Sequence, residues 1–207
     1  ATAYSLHIGE LERDLERVEA GLDQVEPGAR AGLRVEALTL GAVARSVYGD
    51  PAEVRAMVAK ARGLNAGEDD LIRRLMHQAL GNAARLAADV PAAIAEYSAI
   101  LKDAVTGHPS ALTSVTLSRL GFTLALAGRL REAERRVAES LAMSAPEGAQ
   151  PAIYAGEALL TMSELRYARR LTGEATALAA RGAELAEQTD NHAALIFHAR
   201  ILARTRL

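Results

Sequence analysis

Four turn positions recur along this chain, Gly49, Ala88, Gly128 and Arg170, at spacings of 39, 40 and 42 residues. Seven residues before each stands a small one: Ala42, Gly81, Gly121 and Ser163. Five after each stand Val54, Ala93, Ala133 and Ala175, and nine after stand Val58, Tyr97, Val137 and Ala179. The clearest copy runs from Leu120 to Leu141, LGFTLALAGRLREAERRVAESL. It reads as a helix ending at Gly128, a tight turn, and a second helix from about Leu130. Small side chains on both sides of a turn are what two antiparallel helices need where their backbones come closest. One such pair cannot bury its apolar face, so repeated pairs must stack. The pattern therefore predicts an all-α fold, an α-solenoid of antiparallel helix pairs with a period of about 40 residues.

The composition agrees with helices. Apolar residues make up 50% of the 207, yet aromatics are 3% and Trp is absent. Alanine supplies much of that apolar share and is the best helix former. A β-sandwich would need far more Val, Ile, Thr and aromatic residues. The formal charge of −2 disfavours a nucleic-acid surface. There is no cysteine, hence neither disulfide nor thiolate metal site, which fits a reducing, cytoplasmic setting. No 18-residue apolar run predicts a membrane span, and residues 1–10 do not read as a signal peptide. The chain does not start with Met and ends inside a helical pattern. It is expected to be one repeat domain, residues 1–207, taken from a larger protein.

Taken in order, Leu11, Leu15, Val18, Leu22 and Val25 form a helical stripe, which Pro27-Gly28 is expected to end. A second helix is expected over 33–48, then a third with Asp50 as N-cap and Pro51 at its first position. Asn65-Ala66-Gly67 breaks it. Glu68-Asp69-Asp70 opens a fourth helix; these acids complement the helix dipole rather than form a cation site. A fifth helix starts at Asp89-Val90-Pro91, and 106–109 is a loop. Helices six and seven are the opening stretch and its lead-in from Ser110. After the loop 145–151 come helices over 152–171 and 173–188, and a last one over 193–207 whose partner is missing. The uncovered first and last helices predict self-association, a homo-oligomer or contact with further domains.

The small–turn–alanine spacing resembles a tetratricopeptide repeat, lengthened beyond its usual 34 residues. With helices about a turn longer, Leu11 to Leu207 is similar to the repeat region of the MalT-like, ATP-dependent LuxR-type transcriptional regulators. The resemblance implies a right-handed superhelix lying between an NTPase module and a helix-turn-helix domain, where it binds an inducer or a partner protein. The sequence departs from the repeat in two ways. Leu38, His77, Leu117 and Leu159 stand where an aromatic is usual, and Ala88 and Arg170 replace the turn glycine.

Nothing points to catalysis, and no cofactor is expected. There is no P-loop, no H-E-x-x-H and no G-x-S-x-G motif. His7, His77, His108, His192 and His198 lack metal-ligand spacing, and His77 reads as a partly buried packing residue. The carboxylates lie at surface spacing on helix faces. Arg73-Arg74, Arg135-Arg136 and Arg169-Arg170 are mostly flanked by acids without interleaved aromatics.

Two function classes follow: a binding and sensing module for a small effector or a peptide or protein segment, or a structural scaffold. The polarity of the inner face discriminates them. The register implied by the tetratricopeptide resemblance places Glu36, Thr39, Val43 and Ser46 inward, then Leu75, Gln78, Asn82 and Arg85, then Val115, Ser118, Phe122 and Ala125, then Glu157, Leu160, Glu164 and Tyr167. Gln78, Asn82, Arg85, Ser118, Phe122, Glu157, Glu164 and Tyr167 are the expected ligand or partner groove, with Phe122 as an apolar platform.

Overall fold

A computed structural model describes residues 13–22, 24–47, 49–64, 69–102, 110–145 and 151–188, and these contain helices and turns without a strand. The elements are α1 (13–22), α2 (Pro27–Arg45), α3 (Pro51–Gly63), α4 (Asp70–Leu86), α5 (Val90–Lys102), α6 (Ala111–Leu126), α7 (Leu130–Ser144), a 3-10 turn (Ile153–Ala155), α8 (Gly156–Ala168) and α9 (Thr172–Glu187). The expected last helix, the breaks at 65–67 and 106–109, and His7, His108, His192 and His198 lie outside the described residues.

The helix starts follow local chemistry. Asp50 accepts from the Ala52 N–H at 2.8 Å with Pro51 behind it. Asp69 accepts from the Ile72 N–H at 2.7 Å, and Asp70 pairs with Arg73 and Arg74. The acids opening α4 thus cap the helix and pair along it, which is the structural use expected of them. Asp89 and Ser110 accept from the Ala92 and Thr113 N–H groups in the same manner. One boundary differs. Pro27 opens α2 six residues ahead of the expected start, because proline at a first helical position loses no hydrogen bond.

Three of the four turns share one backbone design. Ala88, Gly128 and Arg170 have φ of 58°, 75° and 63°. At each, the turn residue's N–H and the next one reach back into the preceding helix: Ala88 to Arg85 O and Asp89 to Ala84 O, Gly128 to Ala125 O and Arg129 to Leu124 O, Arg170 to Tyr167 O and Leu171 to Arg166 O. This pairing closes the carbonyl end of a helix. The first turn takes another path. There Gly49 donates to Arg45 O at 2.6 Å, and a Cβ on Gly49 would lie 2.7 Å from that oxygen.

The repeat positions all point inward. Ala42, Gly81, Gly121 and Ser163 are buried, as are Val54, Ala93, Ala133 and Ala175, and Val58, Tyr97, Val137 and Ala179. A Cβ on Gly81 would lie 2.7 Å from Tyr97 Cε1, and one on Gly121 would meet Val137 Cγ2. Ser163 instead donates its hydroxyl to Ala175 O at 2.7 Å. These contacts fix the antiparallel register of each pair around its turn.

Two compact units divide the chain, residues 1–99 and 100–207. In the first, α2, α3 and α4 pack on one another around Val35, Leu38, Ala42, Val54, Val58, Ala61, Ile72, Met76, Ala79 and Ala83. In the second, α6 packs on α7, α8 packs on both, and α9 packs on α8. Within each unit the first helix of one pair thereby covers the pair before it.

Candidate functional site

The eight expected groove residues fall into two groups. Gln78, Asn82 and Ser118 are buried. Arg85, Phe122, Glu157, Glu164 and Tyr167 are partly buried.

Asn82 holds the first unit together. Its Nδ2 donates to Ser46 Oγ at 2.8 Å, and its Oδ1 accepts from Tyr97 OH at 2.7 Å. Ser46 in turn donates to Val43 O at 2.6 Å. One hydrogen-bonded chain so ties α5 to α4 and α4 to α2. Thr39 and Ser46, which the register also placed inward, are fully buried, and Thr39 donates to Val35 O in its own helix. Polarity here marks packing that has been hydrogen-bonded, because a buried polar group without a partner costs about 1–3 kcal/mol.

In the second unit Glu157 takes a two-pronged bond from Arg119, Nε at 2.9 Å and Nη2 at 2.8 Å, clamping α8 to α6. Glu134 on α7 is gripped by Arg166 and Arg169, and Arg166 Nε also lies 3.2 Å from Glu174 on α9. Ser114 and Ser140 meet across α6 and α7: their Oγ atoms lie 3.0 Å apart, and each hydroxyl is within donating reach of the other residue's carbonyl oxygen. In the first unit His77 Nδ1 lies 2.6 Å from Glu96 Oε2, joining α4 to α5 from a half-buried position.

Some polar atoms keep unfilled bonding capacity. Among the described residues, Gln78 Oε1, Ser118 Oγ and Arg85 Nε meet no hydrogen-bond partner, and Gln78 is 8% exposed. Gln78 and Arg85 lie seven apart on α4, hence on one face. Phe122, Glu164 and Tyr167 share the second unit, on α6 and α8.

A cleft of about 510 Å³ opens in the first unit, lined by Leu15, Glu16, Glu19, Ala37, Leu38, Arg45 and Lys60. Its lining comes from α1, α2 and α3; nearby, Leu15 of α1 and Met57 of α3 pack closely against Gly41 of α2. None of the expected groove residues lines this cleft. In the sequence its charged residues look like ordinary solvated helix faces, and no motif marks the cleft.

Among the described residues no group of three or more His, Cys, Asp or Glu side chains is placed to hold a metal ion, and no helix is long and apolar enough to cross a membrane. No protein-family model matches the chain, and no curated protein matches it.

Proposed function

We propose that this chain is a non-enzymatic binding module, a tetratricopeptide-like stack of helix pairs winding in a right-handed superhelix. Its first helices present a face for a small effector or a peptide segment. The observation that carries this reading is in the second unit, where Phe122, Glu164 and Tyr167 stay half-buried on α6 and α8. An aromatic body, a carboxylate and a phenol suit a ligand with an apolar part and a donor. The resemblance to MalT-like, LuxR-type regulators extends the proposal to signal sensing in a cytoplasmic bacterial transcription factor, beside an NTPase and a helix-turn-helix domain. The chain itself takes no nucleic acid in this reading.

A scaffold is the second reading, and a specific observation favours it. Thr39, Ser46, Gln78, Asn82, Ser118 and Leu160, all in the inward register, are consumed by packing. A thermal-shift screen of metabolites and short peptides separates the two. A binding module is expected to give a ligand that raises the melting temperature of the wild type and fails on Tyr167→Ala or Glu164→Gln. A ligand that stabilises all three proteins equally moves the site elsewhere, and a screen without hits selects the scaffold.

A further inference from the structure

Where the helix pairs of the second unit turn, apolar and cationic side chains meet at one end. Leu126 is 55% exposed, Leu130 41% and Leu171 40%. Leu130 sits one helical turn before Glu134 on α7, and the grip of Arg166 and Arg169 on Glu134 brings the end of α8 beside the start of α7. Leu126 and Leu130 flank the turn at Gly128, and Leu171 follows the turn residue Arg170 of the next pair. The stretches 126–134 and 166–174 hold five arginines, Arg129, Arg131, Arg166, Arg169 and Arg170, against three glutamates, Glu132, Glu134 and Glu174. That makes this end cationic in a chain of formal charge −2. Arg129, Arg166 and Arg169 are paired with those glutamates. The exposed guanidinium groups of Arg131 and Arg170 have no ion-pair partner among the described residues. Arg170 also holds φ 63°, a conformation that the matching turn assigns to Gly128.

We infer that this turn end docks an acidic amphipathic segment of a partner protein, its leucines or similar residues on Leu126, Leu130 and Leu171 and its carboxylates on Arg131 and Arg170. An arginine fork fits a carboxylate with two parallel hydrogen bonds. An anionic membrane is the weaker occupant, since two unpaired cations fall short of the four to eight that membrane-binding clusters carry. Leu126 lies one helical turn beyond Phe122 on α6, so the two surfaces adjoin. Tyr167→Ala, which leaves these leucines and arginines in place, is expected to keep peptide binding and so separates a failure of this surface from a failure of the effector reading.

Fluorescence anisotropy of a labelled helical peptide, leucines on one face and glutamates on the other, tests it. Arg131→Ser/Arg170→Gly is expected to weaken binding about tenfold or more, and Leu130→Ser/Leu171→Ser likewise. Added salt should lower the affinity as well. Glycine is the natural residue at the turn, so the arginine variant keeps its fold, which its melting temperature verifies. Equal affinity for a peptide with lysines in place of glutamates would overturn the inference. So would an absence of binding, indifference to both variants, or stronger association with phosphatidylserine-containing vesicles than with the peptide.

Discussion

A methyl group on Gly121 would fall onto Val137 Cγ2 and come within 3.1 Å of the Ala133 carbonyl oxygen. The side chain could swing aside, but the carbonyl belongs to α7 and cannot move without the helix. Gly121→Ala is therefore expected to cost about 1–3 kcal/mol, the usual range for overpacking, read by urea denaturation. Turn positions obey a different rule. Gly128 has φ 75° and open space around it, so only backbone conformation resists a side chain there. Arg170 already carries that burden, at roughly 1–2 kcal/mol. Arg170→Gly should accordingly raise the melting temperature, and a fall would show that the arginine earns its place through contacts. The sequence makes the small residue legible at both kinds of site. It does not say whether the reason is a neighbour or a dihedral angle, because glycine answers both needs.

Helix ends were the most readable elements. Asp50-Pro51 and Asp69-Asp70 carry their capping function in their chemistry, and both aspartates bond as that chemistry requires. Asp69→Ala should lower stability by about 1 kcal/mol, visible as earlier fraying of α4 in amide hydrogen exchange. Pro27-Gly28 was misleading, since the same dipeptide that stops a helix also starts one. The groove register was harder still. Asn82 looks like a ligand-facing polar residue, yet it bridges Ser46 and Tyr97 in the interior. Asn82→Ala removes both bonds of this bridge and is expected to cost more than Tyr97→Phe, which removes one of them; chemical denaturation of the two variants compares them. Sequence gives polarity, while burial depends on which helix arrives opposite. A carried-over register from shorter helices cannot know that.

At the scale of the molecule, the helical character of the described residues and the position of the pairs were both legible, since the small and apolar positions on either side of every turn are buried. The cleft between α1, α2 and α3 was not, because it arises from three helices meeting rather than from any motif. Gly81 and Gly121 occupy the same place in different units and press on different partners, Tyr97 and Val137. Their alanine substitutions should consequently add, to within about 0.5 kcal/mol in a double-mutant cycle. A larger deviation would reveal that the two sites are energetically coupled.

The reciprocal bonds of Ser114 and Ser140 hold a further possibility, one of redox chemistry. Their hydroxyl oxygens lie 3.0 Å apart across α6 and α7, 26 residues apart in sequence, in a chain without a single cysteine. Changing both to cysteine would place two thiols, with no competitors, at a buried helix contact. An oxidant should then close a staple between the helices, worth about 3 kcal/mol if the bond forms unstrained. Reduction would release it, so the second unit's stability could be set by the thiol–disulfide poise of the solution, a handle that the natural serines forgo.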